Sequence, residues 1–172
     1  QYSNGNQRSC AQDGLINGAK QLGLTIVKKH VYNATLPPKG DTKVETIVNY
    51  AGSLGIQMLD VKCPGTLDTL IFQEKGGPAL ALLNQEGVFF VELLVELGGQ
   101  PSDRHVVVYN SAYTSPEHPR CRGVIIDNDA DTPLKHIEPK DRGNKEDARD
   151  VFDSLFPRAD RVRVVGAWLM RL

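Results

Sequence analysis

The sequence predicts an α+β domain, with helices in the first part of the chain and an antiparallel sheet in the second. Three observations carry this. Between residues 9 and 54 the apolar residues recur at helical spacing. From Ala79 onward they run in extended blocks. The turns after the first two of these blocks are short enough for antiparallel hairpins.

Taken in order, residues 1–8 are polar with a central Gly5 and read as a loop. A helix is expected at about 9–22, with Ser9 as N-cap and Gln12 completing a capping box. Ala11, Leu15, Ala19 and Leu22 share one face. Gly14 and Gly18 cost this helix roughly 1 kcal/mol each against Ala. Their spacing predicts the close approach of another backbone, which makes the helix central. A short extended piece, Thr25 to Lys28, leads into a Lys-rich connector and a Pro37-Pro38-Lys39-Gly40 turn. A second helix is expected at about 42–54, opened by a Thr42–Glu45 capping box and stopped by Gly55. Its stripe is Val44, Ile47, Val48, Ala51 and Leu54. A short helix at about 66–75 follows, ending at Gly76–Gly77. Strands are expected at Ala79–Leu83, Val88–Leu97, Arg104–Asn110 and Gly123–Asp127. A late helix at about 145–156 is capped by Asn144 and ended by Pro157. Its core face is Ala148, Val151, Phe152, Leu155 and Phe156. A closing strand, Arg161 to about Arg171, places Trp168 in the core.

The 172 residues suit one domain over 1–172 with one sizeable core. An apolar fraction of 40%, a charged fraction of 24% and a net charge of −1 are those of a globular protein. With no surplus of Lys and Arg to neutralise phosphates, the composition argues against a binder of nucleic acid or anionic membranes. The longest apolar stretch, Val88–Leu97, is too short to span a bilayer and is broken by Glu92 and Glu96. Repeats and low-complexity segments are absent. The three cysteines, Cys10, Cys63 and Cys121, are few and odd in number. They argue against a disulfide framework and for a reducing, cytoplasmic or nuclear setting. A start at Gln1, without Met or a secretion signal, suggests a mature or excised domain. A monomer without cofactors is expected. His118 and Cys121 are spaced like half a metal site that Cys63 could join, but a fourth ligand is not evident and metal is not expected. Lys28–Lys29–His30 reads as a solvated loop, and Gly76–Gly77 and Gly98–Gly99 as turns, since neither has the Lys-Ser/Thr ending of a phosphate loop.

The chemistry centres on three residues. Cys10 falls in the first turn of the first helix, where unpaired amides and the helix dipole favour a thiolate. A nucleophilic Cys needs a base. His105 opens the strand His-Val-Val-Val-Tyr-Asn behind a polar turn, a rigid position that can still face a cleft. His30, His118 and His136 lie in weaker contexts. The base in turn needs an orienting acceptor. Asp127 is the first polar residue after an apolar strand, and Asn128 follows it. Each position alone has a plainer reading: a small buried hydrophobe, a solvent-facing His and a strand-ending turn. Together, in this order and context, they point to nucleophilic catalysis.

The segment Ser9-Cys10-Ala11-Gln12-Asp13-Gly14-Leu15-Ile16-Asn17 resembles the nucleophile helix of papain-fold peptidases. It is particularly similar to the Josephin deubiquitinases, whose motif reads Cys-Ala-Gln-His-Cys-Leu-Asn-Asn. The later order is similar too: a His opening a strand, Asp or Asn ending the next, then a helix and a strand. The resemblance covers about residues 4–22 and 104–172. It implies a papain-like fold and hydrolysis through a thioester, with ubiquitin or a ubiquitin-like protein as substrate. It also implies an oxyanion-binding Gln upstream of the nucleophile. At the offsets those groups use, this chain has Gly5 and Asn4. Gln7 has the right chemistry three residues upstream and is favoured, with Asn4 as its rival. The backbone N–H of Cys10 is the second expected donor. The third residue is Asn in the Josephin group, whereas here Asp127 is favoured over Asn128. Ubiquitin's Leu-Arg-Gly-Gly tail would need a narrow channel and an acidic partner, for which Glu92, Glu96 and Asp103 are candidates. The expectation is thus a cysteine peptidase, with a deubiquitinase as the leading form. The alternatives are a general papain-fold protease or acyltransferase, a silent papain-like binding module, and a structural domain in which the three residues never meet.

Overall fold

The computed structural model describes residues 9–62, 77–127 and 134–172. The elements run α1 (Cys10–Gln21), α2 (Lys28–Thr35), α3 (Val44–Ser53), β1 (Gln57–Asp60) and α4 (Gly77–Leu83). They continue with β2 (Val88–Leu97), β3 (Gln100–Ser115), β4 (His118–Asp127), β5 (Lys135–His136), a 3-10 turn (Pro139–Arg142), α5 (Lys145–Asp153) and β6 (Arg161–Arg171). Among the described residues the six strands form one antiparallel sheet in the order β1-β6-β2-β3-β4-β5.

Strand alternation divides the apolar residues between two faces of this sheet. Phe90, Val106, Val108 and Met170 face α1 and α3. Phe89, Val91, Val107 and Tyr109 face α4 and α5. Each such side chain contributes about 1.5–3 kcal/mol by leaving water. The first helix is central, as its glycines predict. A Cβ on Gly14 would stand 2.5 Å from Val106 Cγ1, and one on Gly18 would stand 2.3 Å from Met170 Sδ. The contact is with side chains of the sheet rather than with another backbone.

The strands at Val88–Leu97 and Arg161–Arg171 match expectation. The hairpin between β2 and β3 turns tightly through Gly98 and Gly99, both at positive φ (61° and 76°). β3 therefore starts earlier than expected, and a bulge between Val95 and Glu96 accommodates Pro101. Asn144 caps α5 by accepting from Asp147 N–H, and α5 ends at Asp153, before Pro157.

Other expectations are corrected. Ala79–Leu83 is the end of α4 rather than a strand; a short apolar run carries no period that separates the two. The Lys-rich connector is a helix, α2. Neither expected capping box forms at α1 or α3. Gln12 Nε2 donates to Thr42 Oγ1 instead (2.8 Å), so the two residues expected to cap separate helices bind each other. Trp168 is half-buried, edge-on to Phe90 at 5.8 Å, rather than enclosed in the core. The helix expected at 66–75 lies outside the described residues.

Candidate active site

Cys10 is the first residue of α1, with Ser9 as N-cap. Its turn is held from two sides. Tyr32 Oη donates to Asp13 Oδ1 (2.5 Å), and Ser9 Oγ donates to Asp13 Oδ2 (3.3 Å). Burial, then the bond to Asp13, raises the Tyr32 pKa, which keeps the phenol a donor. Gln12, fully buried, donates to Thr35 Oγ1 (3.1 Å) and Thr42 Oγ1 (2.8 Å). Both clamps come from the segment 32–42, so the connector that reads as a loop in sequence sets the nucleophile helix. The Gln12 Oε1 atom is buried without a hydrogen-bond partner among the described residues.

His105 is placed by strand pairing. Val107 stands opposite Asp127, so His105, two residues earlier, lies on the same face of the sheet as Asp127. Its Nε2 meets Asp127 Oδ1 at 2.5 Å. Among the described residues β4 pairs with β3 only from Val107 onward, so the part of β3 before Val107 is paired on one side alone, by β2. The N-terminus of α1 brings Cys10 into the same cleft as the imidazole, near enough to raise its pKa. With Nε2 engaged by Asp127, Nδ1 is the nitrogen left for the thiol. Phe156 packs edge-on against the ring at 5.2 Å.

The imidazole is only 2% exposed, against 19% for the Asp127 side chain. Burial by itself disfavours the imidazolium, but the bonds and charges of Asp127 and Cys10 outweigh it and raise the His105 pKa to about 9. His105 therefore holds a proton at neutral pH, between a sulfur and a carboxylate. Such a group can keep a thiolate beside it and later give its proton to a leaving amine.

Cys10 and His105 line a narrow cleft of about 40 Å³, together with Thr42, Glu92 and Arg104. Of the three acidic candidates, Glu92 lines this cleft, paired with Arg104 at 3.1 Å. Glu96 is paired with Arg163 at 3.1 Å and takes no part in it. Asp103 is half-buried on β3, and burial raises its pKa against the opposing pull of the Arg104 amide and His105. Gln7, Asn4, Gly5, Asn128 and Cys63 lie outside the described residues. The His118 and His136 rings lie against each other, 4.1 Å between centres and tilted by 31°. Among the described residues no three His, Cys, Asp or Glu side chains gather as for a metal. No helix among them is long and apolar enough to cross a membrane.

Sequence reading passed over Gln12, Tyr32, Thr35 and Thr42 as parts of this site. Only the adjacency of Gln12 to the nucleophile gave a signal.

No protein-family profile matches the chain, and no curated protein matches it. Among solved structures it is similar to the peptidase domain of Streptococcus ComA, a bi-functional ABC transporter involved in a quorum-sensing pathway. The likeness spans 95% of this chain and 90% of that one, at 16% identity and a TM-score of 0.50. The fold is that of a papain-like peptidase domain. The helical front carrying Cys10 packs on the antiparallel sheet carrying His105 and Asp127.

Proposed function

We propose that the chain is a cysteine peptidase with Cys10 as nucleophile, His105 as acid and base, and Asp127 as the residue that orients His105. The observation that carries this is the buried imidazole bonded to Asp127 in the cleft it shares with Cys10. The sulfur attacks the scissile carbonyl carbon, forming a C–S bond and moving an electron pair onto oxygen. The Cys10 N–H, unpaired within the helix, stabilises that oxyanion, with Gln7 as the proposed second donor. Collapse breaks the C–N bond as His105 protonates the amine. Water, deprotonated by His105, then cleaves the thioester to a carboxylic acid and restores the thiol.

The substrate is read as a peptide, in keeping with the peptidase domain to which the fold is similar. The narrowness of the cleft favours small residues at the scissile bond. Ubiquitin as substrate rests on the nucleophile-helix resemblance alone. In that form a two-glycine tail would thread the same cleft, and Glu92, already held by Arg104, would be a weak partner for an incoming Arg.

Two electrophilic probes separate these forms: a short peptide vinyl sulfone and ubiquitin carrying a C-terminal vinyl sulfone. Each is incubated with wild type, Cys10→Ala and His105→Ala. A peptide adduct lost in Cys10→Ala supports the peptidase reading, and a ubiquitin adduct with the same dependence supports the deubiquitinase form. Absence of both, with Cys10 inert to iodoacetamide, would leave a silent binding module.

A further inference from the structure

Thr42 lines the dyad cleft together with Cys10 and His105. Its hydroxyl accepts a hydrogen bond from Gln12 Nε2 at 2.8 Å and gives its own proton to no group among the described residues. We propose that Thr42 is a further catalytic residue, whose hydroxyl donates to the oxyanion formed when Cys10 attacks the scissile carbonyl. It acts beside the Cys10 N–H. The proposal rests on the peptidase reading above and adds a donor that reading leaves out.

Proton balance fixes the direction of these bonds. A threonine hydroxyl has one proton to give, and an amide nitrogen has two. Thr35 Oγ1 gives its proton to the Val31 carbonyl at 2.7 Å, so it can only accept from Gln12. The Gln12 atom 3.1 Å from Thr35 Oγ1 is therefore the nitrogen, and the same nitrogen reaches Thr42. Both Nε2 protons are then used. Turning the amide over would place Nε2 where Oε1 lies, with no acceptor for either proton. Two buried donors would then stand unpaired in place of one acceptor. Thr42 thus accepts from Gln12, and its own proton remains for the cleft.

The cleft of about 40 Å³ has room for only a few water molecules. A carbonyl group that reaches the Cys10 sulfur therefore enters the space that Thr42 borders. The hydroxyl is also fixed relative to the nucleophile, because the fully buried Gln12 stands on the same turn of α1 as Cys10. A donor held in place before the reaction stabilises developing charge without having to reorganise. The same donor gains less from the neutral carbonyl of the bound substrate, since a hydrogen bond to an ionised oxygen is the stronger. The effect of Thr42 thus falls on the chemical step more than on binding. Its cost to the fold is the buried Gln12 Oε1, left without a hydrogen-bond partner among the described residues.

The test compares Thr42→Val, which keeps the shape and removes the hydroxyl, with Thr42→Ser, which keeps the hydroxyl. Two probes are used: a fluorogenic peptide that wild type cleaves, chosen from a hexapeptide set, and peptide aldehydes of the same set. Addition of the Cys10 sulfur to an aldehyde forms a tetrahedral hemithioacetal with its oxygen in the oxyanion position. Thr42→Val is expected to lower kcat about 100-fold with KM kept, and to weaken aldehyde binding by about the same factor. Thr42→Ser should stay within about threefold of wild type in both. Iodoacetamide alkylation of Cys10 forms no oxyanion and should run at the wild-type rate in both variants. Far-ultraviolet circular dichroism checks folding, and Thr42→Ala takes the place of Thr42→Val if that variant is unfolded. An unmoved kcat, a loss carried by KM alone, or slowed alkylation in Thr42→Val overturns the proposal and leaves the peptidase reading standing. If wild type reacts with a vinyl sulfone probe but cleaves no peptide of the set, the aldehyde affinities alone decide. No cleavage and no Cys10 adduct fells the peptidase reading, and the role of Thr42 with it.

Discussion

At His105 burial and charge act in opposite directions, and the balance sets the pH behaviour. The folded value of about 9 stands above the ordinary 6.5. The stabilisation from the charged ring is therefore complete below about pH 6.5 and is lost as pH rises through about 9. Thermal stability should fall across that window, and Asp127→Asn should flatten the fall by lowering the folded value. The alkaline limb of kcat/KM should lie near pH 9 in wild type and move toward neutrality in Asp127→Asn. A limb that stays in place would remove Asp127 from its orienting role. Gly14 gives a second prediction at this scale. Its Cβ position lies 2.5 Å from Val106 Cγ1, so Gly14→Ala overpacks the face between α1 and the sheet. The expected loss is about 1–3 kcal/mol despite alanine's better helix propensity, read by urea denaturation. Unchanged or greater stability would mean that Val106 yields at little cost.

Among the elements, α2 has the least visible sequence signal and a direct effect on the site. Its residues are polar nearly all round, and only Val31 and Thr35, one helical turn apart, are buried. No apolar stripe announces it, and its stability comes from packing against its neighbours. Thr35 is held by Gln12, and Tyr32 is held by Asp13, both on the nucleophile helix. Tyr32→Phe removes one donor from a carboxylate that is 1% exposed. The expected cost is about 1–3 kcal/mol in unfolding free energy, with slower alkylation of Cys10 as its turn loosens. Wild-type rates of alkylation would confine Tyr32 to stability. Gln12 and Thr42 illustrate a related point. Each carries a sound capping signal, yet the fully buried Gln12 amide, which has no water as an alternative, bonds the half-buried Thr42 hydroxyl instead.

Over the whole molecule, a single sheet serves both apolar clusters, with neighbouring residues of β2 and β3 pointing into opposite ones. Neither cluster can lose its sheet without exposing the other. Thermal unfolding should therefore be one transition, with Trp168 fluorescence on one face coinciding with far-ultraviolet circular dichroism of the whole. Separate midpoints would show that the helical front melts alone. The sequence by itself determined the α+β class, the strands Val88–Leu97 and Arg161–Arg171, and α5, because each has a sustained period or a cap whose signal is local. It determined Cys10, His105 and Asp127 as candidates through their places at a helix start, a strand start and a strand end. Only the tertiary structure decided that these three meet. Their meeting depends on the register that sets Val107 opposite Asp127, and on α1 bringing Cys10 to the cleft that His105 lines. Register and strand length follow from which partners are present across the sheet, and no single segment of the chain encodes those partners.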